Sequence, residues 1–314
     1  MKVVIFTACN DKFFHLLQGL IESLVDRWKE GFSRITSLRV MVFDIGLTEV
    51  QREFITRHAD LIDIKDVKLE EIFSNYKGLD SRIDTSFASA LLVRPFLPRW
   101  ANDDEMIMWI DADIWVQTPT GLDYFVWGAQ SNMVSVVPEC GRIVSFMVPN
   151  QINDLACYFQ DIVTDEINLN APVLNAGLFA ARKDSKLWEV WGHYLAHALN
   201  SVKGIVHFGI DQASFNFALY TGAISCTPLP FECNYCTWMM DLVNIRGKFV
   251  MPTVPFEMIH NLHLVGVEKW KERTIKMLDD EGRRLGTVTS RVDYKSIKGL
   301  NLSERYKTRL YGTI

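Results

Sequence analysis

The sequence has no apolar run approaching the roughly 18–20 residues that a membrane-spanning helix needs. It also has no excess of positive charge, since 33 Lys and Arg stand against 38 Asp and Glu for a formal net charge of −5. That balance argues against a chain held to nucleic acid by overall charge. Cysteine is sparse, with six in 314 residues. In a chain of this size this suggests reduced thiols and not a disulfide scaffold. Cys233-x-x-Cys236 has the spacing of half a zinc site, but no second pair or nearby His cluster supplies the other half. Glycine is missing from residues 9–14, directly after the first apolar run. A Gly-rich phosphate loop is therefore absent at that place. There is no internal repeat and no low-complexity linker.

What is present is enough apolar residue, 48% of the chain, for a sizeable core. The opening Met1-Lys2-Val3-Val4-Ile5-Phe6-Thr7-Ala8-Cys9 is too short for a signal peptide and is interrupted by Asn10-Asp11-Lys12. It reads as a first buried strand over 2–8, with a cytoplasmic location expected. Phe14, Leu17, Leu20, Ile21, Leu24 and Val25 recur at helical spacing and predict a helix over 13–28. A strand over 38–44 follows. Thr48 with Gln51 three residues on is a capping box opening a helix over 48–58, before a short strand at 61–64. Further along, helices are expected over 87–94 (ending before Pro95), 187–199 and 211–219. Strands are expected over 106–110, 133–137 and 173–181. This alternation implies an α/β fold with a Rossmann-like, mainly parallel sheet and helices on both faces. Residues 138–170 show weak periodicity and are expected to form a variable insert. From Val265 onward twelve Lys and Arg face seven Asp and Glu, a net of +5. That tail is expected to be a basic extension, helical and of mixed charge.

The most informative stretch is Met106-Ile107-Met108-Trp109-Ile110-Asp111-Ala112-Asp113. On a strand, side chains alternate between faces, so Asp111 and Asp113 would point the same way. Two carboxylates so placed repel unless a cation sits between them, and a hard divalent ion with oxygen ligands is the natural occupant. Aspartate is also common in turns, so a solvated strand-to-loop junction explains the pair equally well. Far downstream, His263, Gly266 and Lys269 fall at three-residue intervals. A neutral imidazole can ligate a metal, glycine admits close backbone approach, and lysine can meet a phosphate. A lone histidine is more often structural than a ligand.

Taken in order, these stretches resemble the retaining family 8 glycosyltransferases, which have the nucleotide-sugar-binding GT-A fold. Asp111-Ala112-Asp113 resembles the family's Asp-x-Asp motif, and His263-x-x-Gly266-x-x-Lys269 resembles its C-terminal signature. Asn175-Ala176-Gly177 is similar to its Asn-Ala-Gly strand. Asp211-Gln212 with Asn216 is similar to its Asp-Gln helix start, and Arg94 to an arginine near the donor phosphates. Two departures stand out: Trp270 replaces the usual proline after the lysine, and Cys9-Asn10-Asp11 replaces an acidic pair that helps hold the base. The resemblance implies a metal-dependent retaining transfer of a hexose from a UDP-sugar to a hydroxyl of a glycan or lipid-linked glycan acceptor. Asp111, Asp113 and His263 would hold Mn2+ or Mg2+. Gln212, Asp211 and Arg94 would act at the reacting sugar. Thr7, Ala8, Asn10, Asp11, Ala112, Asn175, Ala176, Gly177, Gly266 and Lys269 would complete the donor site. Residues 1–265 would be the catalytic domain and 266–314 a basic extension completing the site. Basic and aromatic residues in that extension suit weak peripheral contact with the inner face of an anionic membrane. Trp115 and Trp238 are candidates to stack on sugar rings. A sugar-nucleotide pyrophosphorylase or hydrolase, and a non-catalytic nucleotide- or carbohydrate-binding protein, are the alternatives.

Overall fold

The computed structural model describes residues 1–67, 85–131, 133–140, 155, 157–163, 171–201, 209–238, 241–265, 272–292 and 294. The insert expected over 138–170 falls largely outside them, as do Gly266, Lys269 and Trp270. The chain divides into two compact units.

The first unit comprises Met1–Phe14, Ser33–Asp111 and Asp123–Phe231. Its seven-stranded sheet is built from β1 (Lys2–Cys9), β2 (Ser37–Asp44), β3 (Ile62–Asp66), β4 (Met106–Ile110), β6 (Val134–Pro138), β7 (Leu174–Arg182) and β8 (Cys226–Pro228). The order across the sheet is β3-β2-β1-β4-β7-β6-β8. Val3 to Phe6 and Met106 to Ile110 are buried throughout. A strand covered on both faces reads in this way as a continuous apolar run. β1 pairs in parallel with β2 and β4, β2 with β3, and β6 with β8. The mainly parallel α/β sheet expected from the sequence is therefore present. β7 departs from it, running antiparallel to both β4 and β6. A fully buried strand carries the same apolar pattern in either direction, so the reversal leaves no mark on the residue pattern.

Helix α2 (Glu49–Thr56) opens on the expected capping box, in which Thr48 N–H donates to Gln51 Oε1 at 2.9 Å. Helix α3 (Thr85–Leu92) gives way to a short 3₁₀ segment, Arg94–Trp100. Pro95 sits in the first turn of that segment, where its missing N–H costs nothing. Helices α5 (Leu187–Ser201) and α6 (Ile210–Tyr220) bring Trp191 and Phe215 against Phe179 of β7, with ring centroids 4.8–5.5 Å apart.

The second unit comprises His15–Phe32, Ala112–Leu122 and Glu232–Ile314. One of its sheets has the order β5 (Ile114–Val116), β12 (Asn261–His263), β9 (Tyr235–Cys236). The other has the order β11 (Lys248–Val250), β10 (Leu242–Ile245), β13 (Glu272–Leu278), β14 (Arg284–Arg291). The helical tail expected from the sequence is corrected here, because residues 272–291 form a β-hairpin. The pattern has a period of two and not 3.6: Ile275 and Met277 are buried while Thr274 and Lys276 are exposed. Asp279 turns the chain by accepting from the N–H groups of Glu281 and Arg283, and Gly282 adopts φ +77°. No described helix is long and apolar enough to cross a membrane.

Candidate active site

The apolar strand β4 delivers the Asp-x-Asp motif, but the motif itself is not strand. β4 ends at Ile110, residues 112–113 form a turn, and β5 starts at Ile114. The two carboxylates are therefore brought together by a turn and not by strand alternation. Asp111 N–H donates to Gly177 O at 2.8 Å, and Leu264 N–H donates to Asp113 O at 2.9 Å. β12 pairs antiparallel to β5 with His263 opposite Ile114. That register sets His263 Nε2 3.3 Å from Asp113 Oδ1. Asp111, Asp113 and His263 each offer one ligand atom, and these atoms lie within 4.8 Å of one another. Two carboxylate oxygens and one imidazole nitrogen form a donor set that fits a divalent cation.

Arg94 is the second centre, only 5% exposed. Its Nη2 donates to Asp111 Oδ1 at 2.6 Å, and its Nη1 donates to Asp211 Oδ2 at 2.6 Å and to Ala176 O at 3.2 Å. The guanidinium lies over the Trp109 ring, 4.6 Å from its centroid, and Trp109 Nε1 donates to the same Asp111 Oδ1 at 2.6 Å. Burial pushes the Asp211 carboxyl up from the usual range, and the Asp111 charge adds to that. Arg94 and the Gln212 N–H pull it down.

The Asn-Ala-Gly segment lies in β7, and a network of amides holds it to α6. Ala176 N–H donates to Gln212 Oε1 at 3.0 Å. Asn216 accepts from Leu174 N–H at 2.7 Å and donates to Leu174 O and Gln212 O at 2.9 and 2.8 Å. Asn175 accepts from Gly177 N–H at 2.9 Å and donates to Glu139 Oε1 at 2.6 Å.

The structure thus joins Arg94, Asp111, Ala176 and Asp211 directly, and joins Asn175, Ala176, Gly177 and Gln212 through β7 and α6. The end of β1 stands differently. Thr7 is wholly buried, and its Oγ1 has no hydrogen-bond partner among the described residues. Ala8 is half-buried and Asp11 is exposed. The Asn10 side chain caps the next turn, accepting from Phe13 N–H at 3.3 Å. Trp115 is corrected from sugar platform to core: it is 5% exposed and packs edge-on against Phe249 and Tyr294. Trp238 keeps 37% of its surface exposed.

Sequence reasoning missed Glu139 and Trp109. Glu139 is 7% exposed and follows directly on the buried strand β6. A carboxylate at the end of an apolar strand is the same signal that singled out Asp111. Trp109 gave no signal beyond belonging to an apolar run.

No family model matches the chain, and no curated protein matches it. Solved structures do. The chain is similar to the galactosyltransferase LgtC in complex with donor and acceptor sugar analogs, at 15% identity over 84% of this chain and 87% of that one, with a TM-score of 0.52. It is similar to an active-site mutant of LgtC in which a glutamine is replaced by glutamate, at 13% identity over the same shares and a TM-score of 0.53. It is also similar to the bifunctional glycosyltransferase WbbM in its apo form, at 12% identity over 86% of this chain but 47% of that one, with a TM-score of 0.51. These likenesses define the class of fold, the GT-A-like fold of glycosyltransferases, which the ordered motifs had led us to expect.

Proposed function

We propose that the protein is a metal-dependent retaining hexosyltransferase that takes its sugar from a UDP-sugar and delivers it to a hydroxyl of a glycan or lipid-linked glycan. The observation that carries this reading is the convergence of Asp111, Asp113 and His263 at an Asp-x-Asp turn. LgtC, a galactosyltransferase crystallised with donor and acceptor sugar analogs, supports the choice of substrates.

Asp111, Asp113 and His263 would hold the cation, and this mixed set suits Mn2+ better than Mg2+. When bound, the cation supplies Lewis-acid stabilisation of the charge that builds on the departing diphosphate. Arg94 fixes one oxygen each of Asp111 and Asp211, so both carboxylates are oriented before substrate arrives. Asp211 then offers its remaining acceptor capacity to donor-sugar hydroxyls. Gln212 lies near the reacting carbon, and the glutamine replaced in the LgtC active-site mutant supports that placement. An amide is a poor nucleophile, so the acceptor hydroxyl attacks from the side of the leaving group and configuration is kept. Lys269 adds positive charge to the diphosphate, with residues 266–314 completing the site behind a catalytic body over 1–265. The same reading puts the enzyme in the cytoplasm, with weak peripheral contact at the membrane face.

The test is release of UDP from a panel of UDP-sugars, with and without acceptor. Mn2+ should support it, EDTA should abolish it, and Asp113→Asn should lose UDP affinity in Mn2+ but not in its absence. Full activity in EDTA would sink the metal-dependent reading. The product should keep the donor's α configuration, read from the anomeric proton coupling. A β-linked product would reject retention.

A further inference from the structure

Two side-chain amides, one turn apart on α6, are tied to two backbone N–H groups of β7. Asn216 Oδ1 accepts from Leu174 N–H at 2.7 Å, and Gln212 Oε1 accepts from Ala176 N–H at 3.0 Å. The two spacings match closely enough for both bonds to form. Two residues of strand rise about 6.8 Å, and four residues of helix rise about 6 Å. Asn216 is 1% exposed and uses both ends of its amide on the backbone, its Nδ2 donating to Leu174 O and Gln212 O. It is a brace between helix and strand. Gln212 is half-buried, and its bond to Ala176 uses one end only.

The free end of Gln212 follows from the bound end. A backbone N–H only donates, so the atom facing Ala176 N is the amide oxygen. The other end, Nε2, only donates, and it has no hydrogen-bond partner among the described residues. Asp211, the residue before it, has the opposite character, because an ionised carboxylate only accepts. It accepts from Arg94 Nη1 at 2.6 Å, and the same Nη1 donates to Ala176 O at 3.2 Å. The two backbone groups of Ala176 thus gather both side chains at one residue of β7, Gln212 directly and Asp211 through Arg94. A nitrogen that only donates beside a carboxylate that only accepts is complementary to sugar hydroxyls, each of which can give one hydrogen bond and take another.

We propose that Gln212 is a specificity-determining residue that reads a ring hydroxyl of the donor sugar through its Nε2 N–H, beside the acceptor Asp211. The inference rests on the transfer reading above. It takes the amide oxygen, held by Ala176, away from the reacting carbon and gives Gln212 a choice between donors instead. A site built on such hydrogen bonds rejects the analogue lacking the hydroxyl, because its own polar groups are left unpaired.

The test uses the full-length protein in Mn2+. The probes are the UDP-sugar of the panel above that the wild type turns over fastest and the single-deoxy analogues of that donor. UDP release gives kcat/KM. Gln212→Ala should lose about tenfold with the parent donor, the worth of one hydrogen bond to a neutral group. With one of the deoxy donors that loss should disappear, because the partner of the N–H is already gone. Gln212→Glu keeps an oxygen for Ala176 N–H but puts a second acceptor where the donor was. It should therefore keep the tie to β7 and still lose at least as much as Gln212→Ala. An equal loss with every deoxy donor would overturn the proposal. So would a Gln212→Glu protein as active as the wild type, the result expected of a residue that acts through its oxygen. A wild type that releases UDP from no member of the panel would instead overturn the transfer reading beneath it, an outcome visible before any variant is made.

Discussion

Arg94 concentrates the chemistry of the first unit in one side chain. It holds two carboxylates and a carbonyl, and it stacks on an indole. Breaking a buried ion network by removing one partner leaves uncompensated charge. Arg94→Ala should therefore cost about 3–5 kcal/mol of stability, measured by urea unfolding. Arg94→Lys should recover only part of this, because one ammonium cannot reproduce the planar fork that reaches Asp111 and Asp211 together. A loss below about 1 kcal/mol for Arg94→Ala, within the range of exposed pairs, would show that solvent reaches the cluster. At this scale the sequence was legible where chemistry is local. Asp111 and Asp113 sit two residues apart, and their meaning survives without knowledge of the fold. Glu139 carried the same local signal at the end of β6, but the partner that gives it meaning is Asn175, 36 residues away, and only the β6–β7 pairing brings the two together. The motif also misled in one respect. Its two aspartates are brought together by a turn, and a turn-forming aspartate was the very alternative that strand reasoning had set beside the metal.

Elements show the same division. The buried strands declared themselves as continuous apolar runs and the amphipathic helices by their period. The tail did not, because its charges drew attention away from the alternation of Ile275 and Met277 with exposed neighbours. One long-range device could not be read from sequence at all. Gln117, directly after β5, donates through Nε2 to Phe249 O and Ile259 O and accepts at Oε1 from Phe249 N–H at 2.7 Å. A single buried amide thus pins β11 and the chain entering β12 to the end of β5. Gln117→Ala would strand the Phe249 N–H and the Ile259 carbonyl, each costing about 1–3 kcal/mol if water cannot enter, while Phe249 O keeps the Ile259 N–H at 3.1 Å. We expect a loss of about 3 kcal/mol by chemical denaturation, with Mn2+ affinity falling as well, because β12 carries His263. A variant that loses stability but keeps full Mn2+ affinity would show that the β5–β12 register holds His263 unaided.

For the whole molecule, the strand–helix alternation was enough to name the fold class, and it failed on the direction of β7 and on the hairpin over 272–291. The overall charge asymmetry was also legible, but its meaning changes in the structure. Among the described tail residues, Lys276 pairs with Asp241 at 2.5 Å, and Arg283 pairs with Asp279 and Glu281 at 2.7 Å. Arg246 pairs with Asp280. Locally neutralised bases attract an anionic surface weakly, and the attraction falls away over about 8 Å at physiological salt. The full-length chain should co-sediment with anionic liposomes only at low ionic strength. Sedimentation that persists in physiological salt would show that membrane contact is strong.

The hairpin has a further consequence. In the order β11-β10-β13-β14 the last strand lies at the margin of its sheet among the described residues. A margin of this kind is a template on which a second chain could add a strand. β14 blunts it with a register irregularity against Met277 and Leu278, with Gly286 at φ +158°, and with Arg284 and Arg291 at its two ends. Removing both guanidiniums by Arg284→Thr with Arg291→Thr, which raises β-propensity and lowers charge at once, should leave the fold intact. The double variant should then form concentration-dependent oligomers by light scattering where the parent stays dispersed.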